Sequence, residues 1–220
     1  MKIGLFFGSF NPVHNGHLMV ASYVANHSDM NQVWLVVSPQ NPLKPQGSLL
    51  NEYDRLHLTK LAIEDDTQLK VSDIEFSLPK PSYTIDTLTY LQEKYPQHEF
   101  SVIMGADSFL QLYTWNDWRD LSRYIHLAVA SRPPYSIQKQ LTDHPPLQDY
   151  YLDHQTKLAH DLCSKASGLI YLDEQLSIDL ASSSLRPLLS SNNTANRIQE
   201  WLPKSIHALI LKKGLYQSTR

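Results

Sequence analysis

Two histidines, His14 and His17, follow a glycine-bearing turn in the stretch Gly8-Ser9-Phe10-Asn11-Pro12-Val13-His14-Asn15-Gly16-His17. Imidazoles spaced i, i+3 share one face of a helix, and that pairing suits more than one chemistry. At a helix N-terminus, backbone N–H groups and the helix dipole both favour an anion, so the pair could hold phosphate. It could also ligate a metal, but no third ligand is evident nearby. A plain pair of solvated or helix-capping side chains is the alternative to both, in a chain with 10 histidines. Of the 7 glycines, Gly4, Gly8 and Gly16 fall in the first 16 residues, where positive φ or close approach of a ligand would call for them. The pattern is neither a Walker A loop nor the dinucleotide-binding G-x-G-x-x-G.

A second group lies far along the chain. Ser182-Ser183-Ser184-Leu185-Arg186 places a run of hydroxyls at the start of a helix, where they can cap it or donate to phosphate oxygens. Arg186 adds a planar, permanent charge suited to phosphate. On its own, this run is equally a serine-rich loop with one capping serine. Pro187 requires an early position in that helix. A third group, Ser38-Pro39-Gln40-Asn41-Pro42-Leu43-Lys44-Pro45, follows an apolar strand, and Lys44 could neutralise a phosphate as a point charge.

The elements that must position these groups alternate between strand and helix. Ile3–Phe7 is a short apolar run ending in the glycine turn, and Leu18, Ala21, Val24 and Ala25 then follow helical spacing. Val33–Val37, Phe100–Met104, His126–Ala130 and Gly168–Leu172 read as strands, with Leu69–Ile74 a shorter one. Asn51 should cap a helix running to about Ile63, and Thr84 one carrying Ile85, Leu88 and Leu91, with Asp86 in its first turn. Near the C-terminus, Pro203 in the first turn, the stripe Ile206, Leu209 and Ile210, Lys212 and Lys213 in the last turn, and Gly214 at the end describe another helix. Residues 131–167 are the least regular and read as a helical and loop insertion within a single domain covering 1–220. Strands separated by helices predict an α/β fold, a Rossmann-like three-layer sandwich around a mostly parallel sheet. The loops at the carboxyl ends of its strands should carry the ligands.

With these elements in view, Gly8-Ser9-Phe10-x-Pro12-x-His14-x-Gly16-His17 resembles the G-x-F-x-P-x-H-x-G-H signature of the H-x-G-H nucleotidyltransferases. Ser182–Arg186 resembles the I-S-S-T-x-[IL]-R signature at the far end of that superfamily, with Ala181 before the serines and Ser184 where threonine is usual. Further segments resemble one branch, the bacterial nicotinate-nucleotide adenylyltransferases. They are Ser82-Tyr83-Thr84-x-x-Thr87-Leu88, Gly105-Ala106-Asp107, Leu112-Tyr113-Thr114-Trp115, Ser131-Arg132-Pro133, and the ending through Gly214-Leu215-Tyr216. Leu43 stands where the branch usually has histidine, before the retained Lys44.

The resemblance implies transfer of AMP from ATP to nicotinate mononucleotide, giving nicotinate adenine dinucleotide and pyrophosphate on the route to NAD. It implies His14, His17 and Arg186 as the catalytic groups. ATP would contact Gly8, Ser9, Phe10, His14, His17, Gly105, Asp107, Ser183, Ser184 and Arg186. The mononucleotide would contact Ser9, Lys44, Tyr83, Thr84, Asp107, Trp115 and Arg132. A pyridine carboxylate wants an aromatic face and N–H donors, which Trp115 and the Tyr83–Thr84 backbone could supply, and Asp107 could accept from ribose hydroxyls. Mg²⁺ would arrive on ATP, keeping its waters, with no protein metal ligands. Acceptors left open are nicotinamide mononucleotide and, more distantly, phosphopantetheine. A non-catalytic nucleotide sensor is the reading from another class.

Composition narrows the rest. A net charge of −3 and a pI near 6.3 give no electrostatic case for nucleic acid. Cys163 is the single cysteine, so no intrachain disulfide can form, which fits a cytoplasmic protein. Met1-Lys2 leads straight into a strand, which argues against a signal peptide, and no apolar run reaches the roughly 20 residues of a membrane span. A homo-oligomer is left open by the sequence.

Overall fold

The computed structural model describes residues 1–40, 49–131, 137–164, 167–173, 180–190 and 195–217. Its first half runs β1 (Lys2–Gly8), α1 (Asn15–His27), β2 (Gln32–Val37), α2 (Glu52–Ala62), β3 (Leu69–Ser72), α3 (Thr84–Lys94), β4 (Glu99–Gly105) and α4 (Ala106–Leu110). The second half runs α5 (Leu121–Tyr124), β5 (His126–Ala130), α6 (Ile137–Leu141), α7 (Pro145–His154), β6 (Gln155–Thr156), β7 (Ile170–Asp173), α8 (Ser182–Ser190), α9 (Ala195–Trp201) and α10 (Lys204–Lys213).

The strands form one seven-stranded sheet in the order β3-β2-β1-β4-β5-β7-β6, and every pair is parallel. Strands apolar on both faces require cover on both sides, and the pleat sorts their side chains accordingly. In β1, Phe6 joins a core with Phe10, Val13, Val20, Leu185 and Ile206. Ile3 and Leu5 join the opposite core with Leu88, Leu91, Phe109 and Leu121. In β2, Val33, Leu35 and Val37 face the first core and Val36 the second. The chain steps outward from β1 through β2 to β3, then returns to β4 on the other side of β1. That reversal opens a crevice beyond the carboxyl ends of β1 and β4, the standard ligand position in open parallel sheets.

The helix ends follow their sequence signals with three exceptions. Asn51 caps α2, its Oδ1 accepting the Tyr53 N–H at 2.9 Å. Gly214 closes α10 at φ 62°, in the left-handed region glycine tolerates. Thr84, expected as a cap, is instead the first residue of α3; Tyr83 holds the cap position and offers no side-chain hydrogen bond. Pro203 sits at the α10 cap and not inside its first turn. Pro187 falls inside α8, the sixth residue of a helix beginning at Ser182, so it removes the helical bond to the Ser183 carbonyl rather than an end N–H.

Two other segments differ from expectation. Ile74 leaves the β3 strand for a short 3-10 turn, Ile74–Ser77. Residues 131–167 hold α6 and α7 and also the two-residue edge strand β6, which pairs with β7 through Gln155–Ile170 and Thr156–Tyr171. A strand that short has no readable period. No helix among the described residues is long and apolar enough to cross a membrane.

Candidate active site

The turn after β1 is built by packing against glycine. A Cβ at Gly8 would stand 2.8 Å from the Phe10 ring, so only glycine lets that ring lie over the strand end. Phe10 itself has φ 43°, a left-handed conformation that costs an L side chain energy and persists only where surroundings enforce it. Its ring is held edge-on by Phe6, with centroids 6.0 Å apart, and by His17, at 5.0 Å.

The two histidines cap α1 reciprocally. The Nδ1 of His14 accepts the His17 N–H, and the Nδ1 of His17 accepts the His14 N–H, each at 3.3 Å. This is the capping-box arrangement, with imidazoles in place of the usual hydroxyl and carboxylate. An Nδ1 that accepts carries no proton, so the neutral rings bear theirs on Nε2. The cap thereby makes Nε2–H the donor of each ring. The rings stack with centroids 3.6 Å apart, and His14 is only 2 % exposed, so both are held rigidly at the helix N-terminus. No group of three or more His, Cys, Asp or Glu among the described residues could hold a metal ion.

Helix α8 docks onto the same turn from the far end of the sequence. Arg186 donates from Nη1 to the Asn11 carbonyl at 3.1 Å, and Ser182 Oγ donates to the Pro12 carbonyl at 3.0 Å. Ser183 and Ser184 lie exposed on the first turn of α8. The hydroxyl that fastens α8 is therefore Ser182, while its two neighbours face solvent.

Sequence reasoning missed the residue that joins the loops. Arg55 on α2 is completely buried. Its guanidinium donates to four backbone carbonyls: Leu50 from Nε at 2.8 Å, Ser9 and Ser38 from Nη1 at 2.5 and 2.8 Å, and Pro39 from Nη2 at 2.8 Å. Burial pushes its pKa down from the usual arginine range, with Tyr216 and Glu52 opposing that shift. One side chain thus ties together the loop after β1, the loop after β2 and the start of α2. Asn11 adds a further tie, its Oδ1 accepting the Leu50 N–H at 3.1 Å.

Beside the turn, a cavity of about 160 Å³, open to solvent, lies over the ends of β1 and β4. Gly8, Ser38, Glu75, Tyr83, Thr84, Gly105 and Trp115 contribute to its wall. Tyr83, Thr84 and Trp115, expected to meet the mononucleotide, are thus brought together. The Trp115 indole N–H is buried without a hydrogen-bond partner. Asp107, in the first turn of α4, folds back over Gly105, where a Cβ would stand 2.6 Å from its Oδ1. Glu75, a wall residue that sequence reasoning did not single out, is 2 % exposed and accepts hydroxyls from Ser82 at 2.9 Å and Thr87 at 3.0 Å. Burial raises its carboxyl above the ordinary range, against the opposing hydrogen bonds from Ser82, Ser38 and Thr87. Lys44 and Arg132, with Leu43, lie outside the described residues.

A family model for cytidylyltransferase-like proteins matches residues 5–187, a span that takes in both the histidine pair and Arg186. A probable nicotinate-nucleotide adenylyltransferase of Shewanella pealeana is 35 % identical over 217 residues, 99 % of this chain and 96 % of its own length. The chain belongs to the nicotinate-nucleotide adenylyltransferase family. Another member, from Flavobacterium psychrophilum, is 56 % identical over 132 residues, covering 60 % of this chain and 68 % of its own. Among solved structures, a Plasmodium falciparum nicotinic acid mononucleotide adenylyltransferase complexed with NaAD superposes with a TM-score of 0.75 at 21 % identity, covering 98 % of this chain and 97 % of that one. That likeness establishes the Rossmann-like nucleotidyltransferase fold. In this member of the family, the reciprocal histidine cap, the Arg55 clamp and the cavity wall at Trp115 meet at the shared end of β1.

Proposed function

We propose that this chain transfers the adenylyl group of ATP to nicotinate mononucleotide. In that reaction the mononucleotide's 5′-phosphate oxygen forms a bond to the α-phosphorus of ATP as the bond to the β-phosphate oxygen breaks, releasing pyrophosphate. The substrate supplies the nucleophile, so the protein's task is alignment and charge stabilisation. Mg²⁺ would arrive as part of the ATP substrate and would supply charge neutralisation at its phosphates.

The observation that carries the acceptor assignment is the uncapped start of α3 beside Trp115. Tyr83 gives no side-chain cap, so the first N–H groups of that helix are available to a carboxylate, and the dipole favours one. An indole face on the same cavity suits a pyridine ring. In our assignment His14 and His17 donate from Nε2 to the ATP phosphates and to the charge that develops on them. Ser183, Ser184 and Arg186 hold the β- and γ-phosphates, with Lys44 assisting. Gly8, Ser9, Phe10 and Gly105 approach the nucleotides through their backbone, Asp107 accepts from ribose, and Arg132 assists at the mononucleotide.

Pyrophosphate release tests the proposal. The purified protein with MgATP should release pyrophosphate readily with nicotinate mononucleotide and poorly with nicotinamide mononucleotide or phosphopantetheine. Preference for the amide would overturn the carboxylate assignment. Nucleotide binding with no turnover on any acceptor would make the chain a sensor.

A further inference from the structure

We infer that Glu75 is a positioning residue for the acceptor site, fixing the segment at the start of α3 by accepting the hydroxyls of Ser82 and Thr87 on its two carboxyl oxygens. The inference rests on the acceptor assignment above.

Three hydroxyl residues crowd this helix start: Ser82, Thr84 and Thr87. A serine just before a cap can turn onto the N–H two residues on, and a threonine inside the first turns can bond the carbonyl four residues back. Here the cap position has no side-chain hydrogen bond. Ser82 Oγ donates to Glu75 Oε2 at 2.9 Å, and Thr87 Oγ to Glu75 Oε1 at 3.0 Å, shared with the Tyr83 carbonyl at 3.2 Å. These two residues bracket Tyr83 and Thr84, so one carboxyl fixes both sides of the segment facing the cavity. Ser82 and Thr87 are themselves buried, as is Glu75.

The same carboxyl also bonds the side chain of Ser38. The Ser38 carbonyl accepts from Arg55, and its N–H donates to the Gly8 carbonyl at 2.9 Å. Glu75 therefore references the acceptor wall to the ends of β1 and β2, against which the phosphates must align. Its place at the cavity wall, with both carboxyl oxygens committed to residues around the helix start, is what a positioning role requires.

The test compares Glu75→Ala, Glu75→Gln and Ser82→Ala in steady-state pyrophosphate release, varying each substrate in turn. Loss of hydrogen bonds to a charged group should raise KM for nicotinate mononucleotide on the order of 10- to 100-fold in Glu75→Ala, with KM for ATP nearly unchanged. Glu75→Gln can still bond both rotatable hydroxyls and should restore most of that loss. Ser82→Ala should show a smaller rise in the same direction, and it decides the matter should Glu75→Ala fail to fold. The preference for nicotinate over nicotinamide mononucleotide should narrow in parallel, because the N–H groups that read the carboxylate would be displaced. Equal rises in both KM values, or no change in either, would overturn the inference. Wild-type protein inactive with nicotinate mononucleotide would instead refute the acceptor assignment.

Discussion

His17→Gln and His17→Ala remove the same imidazole but not the same helix cap. His17 sits at the third position of α1, where its Nδ1 accepts the His14 N–H. Glutamine is a usual occupant of that position in a capping box and keeps an acceptor for that N–H, whereas alanine keeps none. A cap is worth about 0.5–2 kcal/mol. At 3.3 Å both bonds are long, so about 0.5–1 kcal/mol is the fitting range. For a chain of this size that is a loss of about 1–4 °C in Tm, confined to the alanine variant. Neither replacement has a ring nitrogen opposite the capping atom. If Nε2–H stabilises the charge developing on the phosphates, both variants should lose roughly 10²- to 10³-fold in kcat, or about 2.7–4 kcal/mol of transition-state stabilisation. The assay is pyrophosphate release at saturating substrate, alongside thermal melting of each variant. Near-normal turnover by His17→Gln would refute the catalytic role and leave the ring as a cap alone. Turnover falling only as far as the melting temperature does would say the same.

Trp115→Ala should raise KM for nicotinate mononucleotide far more than KM for ATP; an equal effect on both, measured by varying each substrate, would assign the indole to packing. Arg55→Lys leaves three donors on one nitrogen to serve four carbonyls on three segments, so at least one carbonyl loses its partner, at about 1 kcal/mol or more. Melting should fall by roughly 2–4 °C or more, and an unshifted transition would dismiss the clamp. Burial raises the Glu75 carboxyl, so the native state keeps that proton at pH values where the unfolded chain has released it. The group's contribution to stability is then full below its unfolded pKa of about 4.3 and declines as pH rises through the folded value. Glu75→Gln lacks this decline, so its Tm should gain on wild type with increasing pH above about 4.3; parallel curves would contradict the shift.

The strands and the histidine turn were legible in the sequence because their signals are local. β1, β2, β4 and β5 are short runs apolar on both faces, and the glycine turn with its i, i+3 imidazoles lies within ten residues of chain. Arg55 was not legible. Within Asn51-Glu-Tyr-Asp-Arg-Leu-His-Leu-Thr-Lys60 it reads as one more charge on an amphipathic helix. Its role exists only once the carbonyls of Ser9, Ser38, Pro39 and Leu50 converge, and backbone carbonyls leave no mark in the sequence. Glu75 was hidden likewise, in a 3-10 turn with no period, by partners seven and twelve residues on. The start of α3 was misjudged by one residue because Thr84 is the better capping type.

The turn at residues 9–13 is finished by groups synthesised long after it. Ser182 reaches Pro12 across 170 positions, Arg186 reaches Asn11 across 175, and Asn15 donates to the Glu200 carbonyl across 185. Leu202, Ile206 and Ile210 complete the core beneath Phe10 and Val13. A chain emerging from the ribosome therefore presents the histidines early but cannot seat them until α8 and the helices after it arrive. Contacts of such separation form late, because the intervening loop must close before they return any energy. A nucleotide bound at this turn, as proposed, would act only on the finished state and so hold the two ends of the chain together.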